Sequence, residues 1–145
     1  MKNTNELIDT NLNIEINNLS DNSKQIEQNG LFFAIKGIKS DGNNYVNDAI
    51  KNGAVAIVTE EDIETTVPVI KVKDAQYAYN NALNIFFDNP LDKLKVISVT
   101  GTDGKTTVAE IIYQLLNNYA HAGYIGTNGI KYKKFKMEND HTTPM

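Results

Sequence analysis

The chain of 145 residues contains no cysteine, which excludes disulfides, thiolate metal sites and a cysteine nucleophile. No apolar run approaches the roughly 18 to 20 residues that a membrane-spanning helix needs. The first residues are polar, and a cytoplasmic protein with no membrane partner is the default reading. Positive charge is not in excess either: the formal net charge of −4 gives no support to a general nucleic-acid surface, while leaving room for a local basic site for phosphates. The two histidines, His121 and His141, have no partner at metal-ligand spacing.

What is present is a soluble globular composition, 41% apolar and 22% charged, in a length that suits one ordinary domain or a small domain plus part of another. Met1 to Asp9 reads as a frayed helical turn at best. Ile14, Ile16 and Leu19 alternate with polar residues as in a half-buried strand, and the polar cluster Ser20 to Lys24 reads as a turn. Leu31-Phe32-Phe33-Ala34-Ile35 is a continuous apolar run between turn residues, which predicts a strand covered on both faces. Tyr45, Val46, Ala49 and Ile50 share one face of a helix that should end at Gly53, and Ala54 to Val58 follows as another buried strand. Val67 to Val72 is a further short strand. Asp74 should cap a helix reaching Phe87, with Tyr77, Ala78, Leu83 and Ile85 to Phe87 facing inward. This alternation predicts an α/β architecture with a mostly parallel sheet.

Asp88 to Asp92 breaks the pattern and marks a domain boundary, giving domains 1–90 and 91–145. Past it come a strand over Leu94 to Val99, a glycine turn, and a helix with Val108, Ile111, Ile112, Leu115, Leu116 and Tyr119 on one stripe. A strand over Ala122 to Ile125, a turn at Thr127-Asn128-Gly129 and a return strand over Ile130 to Met137 complete a hairpin, whose lysines between Lys131 and Lys136 are expected on a solvated face. Glu60, Glu61, Asp62 and Glu64 read as a charged loop after a strand. The chain is expected to stop inside its second domain, and the unfinished sheet edge after residue 95 could pair with another copy.

The chemistry concentrates between Val96 and Thr107. A β-branched run that ends in a glycine turn and Gly104-Lys105-Thr106, then continues as an amphipathic helix, is the sequence form of a phosphate-binding loop. Gly101 and Gly104 let amides converge on a phosphate chain, and the helix start adds partial positive charge. Lys105 would reach the β- and γ-phosphates of ATP, the Thr106 hydroxyl would be a Mg²⁺ ligand, and Thr107 is a helix-start residue. The longer form of the motif has a glycine where Val99 stands.

That shortened loop, Val99 to Thr107, resembles the loop of the Mur ligases, ATP-dependent amide-bond-forming enzymes of peptidoglycan precursor synthesis. Asp21 to Lys24, Gly30 to Gly37, Asp41 to Val46, Ala49-Ile50 and Gly53-Ala54 are similar to that family's N-terminal motifs in the same order. Tyr124 to Thr127 and His141 to Pro144 are similar to stretches of the branch that adds the third amino acid. Lys24 replaces the family's arginine and Asp103 its asparagine. The resemblance implies an N-terminal domain that holds the UDP end of a UDP-N-acetylmuramoyl-peptide, followed by the opening of a central ATPase domain. Ser23, Lys24, and Lys39 and Ser40 in the Gly37 to Gly42 loop would border the uridine, and Thr142 and Thr143 the substrate pyrophosphate. Gly101, Thr102, Asp103, Gly104, Lys105, Thr106 and Thr107 would hold ATP, with Lys105 catalytic and Thr106 on Mg²⁺. It implies activation of a carboxylate as an acyl phosphate and attack by an amine, with no turnover expected of these 145 residues alone. A stand-alone UDP-sugar-binding module, and another phosphate-loop enzyme such as a folylpolyglutamate-synthase-like ligase or a kinase, are the competing readings.

Overall fold

The computed structural model describes residues 1–37 and 40–138. The chain divides into two compact units, Met1–Leu94 and Lys95–Met145. No helix among the described residues is long and apolar enough to cross a membrane.

The first unit opens with β1 (Lys2–Asn3), a single helical turn α1 (Thr4–Leu7) and β2 (Glu15–Ile16), with β1 and β2 antiparallel. This segment is anchored, in contrast to the frayed turn expected from its short apolar pair. The Thr4 hydroxyl donates to the Leu12 carbonyl at 2.6 Å and accepts from the Ile14 amide at 3.1 Å, and Leu7 is buried in the core. The anchor is non-local, which is why the local pattern understates it.

The half-buried strand expected around Ile14 to Leu19 is two strands, β2 and β3 (Asn18–Ser20). After it β4 (Gly30–Phe33), β5 (Ala54–Thr59) and β6 (Val69–Lys71) form a fully parallel sheet in the order β3-β4-β5-β6. The apolar run at Leu31 is covered on both faces. Leu31 and Phe33 point to a cluster containing Leu7, Leu19, Val58 and Ile70. Phe32 and Ala34 join Ile26, Val46, Ala49 and Ile57 on the other side, under α2 (Val46–Asn52). Two-sided burial of this kind is what a continuous, rather than alternating, apolar strand requires.

Helix α2 stops where Gly53 takes up φ 116°, and β5 begins at the next residue. A Cβ on Gly53 would lie 2.9 Å from the Gln28 Cα, so both the backbone angle and the space call for glycine. Helix α3 (Ala75–Phe86) starts under the Asp74 carboxylate, which accepts the Tyr77 amide at 2.8 Å as expected. Its inward stripe is Ala75, Ala78, Tyr79, Ala82, Leu83 and Phe86, and Tyr79 packs on Phe33 with ring centroids 4.9 Å apart. Tyr77 and Phe87, expected inside, are 66% and 64% exposed. Tyr77 follows Ala75 by two residues, about 200° around the helix, and Phe87 lies just past its end.

In the second unit α4 (Lys105–Asn117) forms as predicted, and the strand expected over Leu94 to Val99 does not. That segment has no strand partner among the described residues, so the expected sheet edge after residue 95 carries no strand. The α4 stripe of Val108, Ile111, Leu115, Leu116 and Tyr119 is 41% to 89% exposed. Beyond it, β7 (Gly123–Gly126), β8 (Gly129–Tyr132) and β9 (Phe135–Met137) make an antiparallel meander. The return strand expected as one piece is broken by a turn at Lys133, whose φ is 52°.

A polar cluster fastens α4 to this meander. The Glu110 carboxylate pairs with Lys131 and accepts from the Asn128 side-chain amide at 3.1 Å. The Lys131 ammonium lies 5.1 Å from the Tyr124 ring centroid, and Tyr124 is 6.0 Å from Tyr113. Lys131 is therefore partly buried, unlike the solvated position expected for it, because a carboxylate and an aromatic face compete with water for its charge.

Two outcomes are expected. Replacing Gly53 with alanine should lower unfolding stability by about 2 kcal/mol, the sum of a left-handed backbone and a tight contact. An unchanged urea midpoint would count against that account. Hydrogen bonds from Lys131 and then Asn128 hold the Glu110 carboxyl below the usual carboxylate range. Because the folded value is the lower one, the stabilisation is present above the unfolded carboxyl's pKa and is lost as pH falls through the folded value. Tyr124 ring-proton shifts followed by NMR through an acid titration should move at that step in the wild type and stay flat in Glu110→Gln.

Candidate functional site

In an open parallel sheet, ligands bind outside the carboxyl ends of the strands. In the first unit those ends are Ser20, Phe33, Thr59 and Lys71. The turn after β3 is a short 3-10 helix, Ser23–Gln25, whose start is fixed by Asn22: its side chain accepts from the Lys24 amide at 3.0 Å. Ser23 is 7% exposed, its carbonyl accepts from the Asn52 side chain at 2.8 Å, and Lys24 is exposed. Ser23 is thus anchored at the last turn of α2.

The connection after β4 enters the other end of that helix. It forms a stem in which Lys36 pairs with Asp41 and the Gly37 amide donates to the Ser40 carbonyl at 2.9 Å. Ser40 is exposed on this stem. Gly42 closes the stem, its backbone N–H donating a hydrogen bond to the Ile35 carbonyl at 2.9 Å, and a Cβ there would come within 2.6 Å of the Ile35 nitrogen. A short helix, Gly42–Tyr45, then leads into α2, with the Asp41 carboxylate accepting the Asn43 amide at 2.9 Å. The structure therefore places Ser23 and Ser40 at opposite ends of one helix. Lys39, Thr142 and Thr143 lie outside the described residues, as does His141.

The charged residues after β5 are tied down. Glu60 caps α3 by accepting the Ala75 amide at 2.9 Å, Glu61 pairs with Lys36 at 3.4 Å, and Asp62 pairs with Lys71. Thr59, Asn43 and Lys36 join these groups; in the sequence Lys36 and Asn43 stand out only as members of longer motif stretches, and Thr59 not at all. The Thr59 hydroxyl is fully buried and donates to the Asn43 side-chain oxygen at 2.8 Å. A threonine at a strand end carries no sequence mark of that role, because it also fits the strand.

The second unit holds the glycine loop. Gly104, at φ 75° and ψ −3°, occupies the left-handed region, with nothing within 4 Å of where a Cβ would stand. Glycine is required there for the backbone angle, and the open side leaves room for a ligand. The Val108 amide bonds the Gly104 carbonyl at 2.9 Å, so the amides of Lys105, Thr106 and Thr107 precede the first intrahelical bond of α4. The Lys105 ammonium folds back on its own loop, donating to the carbonyls of Gly101 at 2.6 Å and Thr102 at 2.9 Å. Gly101, Thr102, Asp103 and Thr107 are exposed, and Lys105 and Thr106 half-buried. A cluster of amides, a lysine and a threonine hydroxyl at one helix start fits a triphosphate with its Mg²⁺.

Residues 15–101 match the family described as "Mur ligase family, catalytic domain", and residues 99–145 match "Mur ligase middle domain". The UDP-N-acetylmuramoyl-L-alanyl-D-glutamate–2,6-diaminopimelate ligase of Caldanaerobacter subterraneus subsp. tengcongensis is 38% identical over 147 residues, covering 99% of this chain and 30% of that protein. Among solved structures, the MurF ligase of Thermotoga maritima in complex with ADP is 31% identical with a TM-score of 0.55, over 72% of this chain and 24% of that one. A UDP-N-acetylmuramoyl-L-alanyl-D-glutamate–2,6-diaminopimelate ligase structure, at 21% identity, shares the fold with a TM-score of 0.75 over 99% of this chain and 31% of its own. The chain spans less than a third of the length of these relatives. With the parallel sheet and the shortened glycine loop in the same order as the two matches, the chain belongs to the Mur ligase family.

Proposed function

We propose that this chain is the sugar-nucleotide-holding domain and the ATP loop of an ATP-dependent ligase of peptidoglycan precursor synthesis, the one that adds the third amino acid to UDP-N-acetylmuramoyl-dipeptide. The observation that carries this reading is the pair of consecutive family matches, which meet at residues 99–101, inside the glycine loop. The relative of Caldanaerobacter, similar over nearly the whole chain, supports the third-residue branch, with 2,6-diaminopimelate as that residue in the relative.

In this reading residues 1–90 hold the UDP end of the substrate, with Ser23, Lys24, Lys39 and Ser40 bordering the uridine. Residues 91–145 begin the ATP-binding domain, and Thr142 and Thr143 stand by the pyrophosphate. The amides of Thr102 to Thr107 and the α4 start hold the phosphates. The Lys105 ammonium, which donates to the Gly101 and Thr102 carbonyls, would turn from them to reach the β- and γ-phosphates and supply positive charge there. This exchange retains charge-assisted hydrogen bonds in both states, so the lysine is stored close to where it is used. The Thr106 hydroxyl is the ligand this chain offers to Mg²⁺, which when bound offsets phosphate charge as the carboxylate is phosphorylated. The protein acts in the cytoplasm, where ATP is supplied.

Calorimetric titration tests the two halves separately. UDP-N-acetylmuramoyl-L-alanyl-D-glutamate should bind the 145-residue chain, and ATP with Mg²⁺ should bind it in a manner that Lys105→Ala weakens about tenfold or more, the loss of a charge-assisted contact. Binding of neither ligand would overturn the reading, and binding of the UDP ligand alone would favour the stand-alone module. The chain by itself should give no amide product in a ligase assay, and product formation would refute that expectation.

A further inference from the structure

At the carboxyl edge of the first unit, five residues form a closed ring, four links of it between side chains and the fifth through the Glu61 backbone amide. Thr59, at the end of β5, donates its single hydroxyl proton to the Asn43 side-chain oxygen at 2.8 Å. The Asn43 side-chain nitrogen donates to Asp41 Oδ1 at 2.9 Å, and Asp41 Oδ2 faces the Lys36 ammonium at 3.8 Å. Lys36 in turn pairs with Glu61 at 3.4 Å, and the Glu61 amide returns to the Thr59 oxygen at 3.2 Å. The ring joins the ends of β4 and β5 to the entrance of α2.

Its chemistry permits one arrangement. The Asn43 amide is oriented by the Asp41 carboxylate, which can only accept, so a flipped amide would lose that bond and set two oxygens against each other. Thr59 is fully buried, and its hydroxyl both donates and accepts, so no water is needed to satisfy it. The charged members Lys36 and Glu61 are largely exposed, and an exposed pair contributes little on its own. The buried end of the ring therefore sets its geometry, and the exposed end follows.

We propose that Thr59 is a positioning residue for the sugar-nucleotide ligand: through Asn43 and Asp41 it fixes the height of the stem on which Ser40 is presented. This inference rests on the reading of the first unit as the UDP-holding domain. Thr59 touches no ligand itself. Gly42 contributes by letting the stem seat against the Ile35 backbone, leaving the ring as the remaining lateral constraint.

The test uses Thr59→Val, which keeps the shape and strand preference and removes the hydroxyl, beside Thr59→Ser, which keeps the hydroxyl and removes the methyl. UDP-N-acetylmuramoyl-L-alanyl-D-glutamate is titrated into each 145-residue chain, and amide hydrogen exchange is read at Asn43, Glu61, Ile57 and Val58. Thr59→Val should bind about tenfold more weakly and Thr59→Ser within about threefold of the wild type, as for loss of one buried hydrogen-bond partner. In Thr59→Val, exchange should rise at Asn43 and Glu61 and stay protected at Ile57 and Val58, which a general loss of stability would not produce. Unchanged affinity in Thr59→Val, or equal loss in Thr59→Ser, overturns the proposal. A wild type that fails to bind overturns the UDP reading and the ligand half of this proposal with it; exchange at Asn43 and Glu61 then shows by itself whether the hydroxyl holds the stem.

Discussion

Burial of β4 on both faces is the constraint on which the first unit depends. Leu31 and Phe33 need cover on one side and Phe32 and Ala34 on the other, so a helix on one face alone would leave an aromatic ring in water. The chain meets this with α1 and α3 on one side and α2 on the other. Of these helices α2 returns the chain between two parallel strands, β4 and β5, while a 3-10 turn and a loop make the other two crossovers, and the parallel order puts every strand's carboxyl end on the same edge. The polar segments at Ser20 to Lys24, Lys36 to Asn43 and Thr59 to Asp62 all leave from that edge. Core packing and site assembly are here one event: the burial that stabilises the sheet determines which loops meet.

Much of this was legible in the sequence because it is local. The run at Leu31, the helix ended by Gly53, the Asp74 cap and the glycine loop each depend on residues within about one or two helical turns of one another. What escaped depends on partners far along the chain. Thr4 is a core residue only because the Leu12 carbonyl accepts from its hydroxyl and the Ile14 amide donates to it. Lys131 leaves solvent only because α4 brings Glu110, twenty-one residues earlier, beside it and the hairpin register sets Tyr124 of β7 opposite it. The Lys36 to Glu61 ring draws on two strand ends and a helix entrance, and each member taken singly reads as an ordinary polar residue. Ser23 and Ser40 were legible as polar positions beside strands, yet their separation by the length of α2 was not.

The same distinction separates the two candidate sites. The glycine loop is built from short-range terms: one left-handed residue at Gly104, one helix start, and a lysine that closes on carbonyls three and four residues behind it. It takes its shape although the apolar stripe of α4 is largely exposed and the β-branched run before it finds no strand partner among the described residues. A strand cannot satisfy its backbone alone, whereas a helix can, so the helical half of a strand-loop-helix unit is the half that local sequence secures. The carboxyl edge of the parallel sheet is the opposite case, since its geometry exists only once four strands are in register. That difference explains why the phosphate loop could be read from nine consecutive residues. The hydroxyl proposed to position the sugar-nucleotide loop, Thr59, became visible only when Asn43, sixteen residues away, was seen to accept its proton.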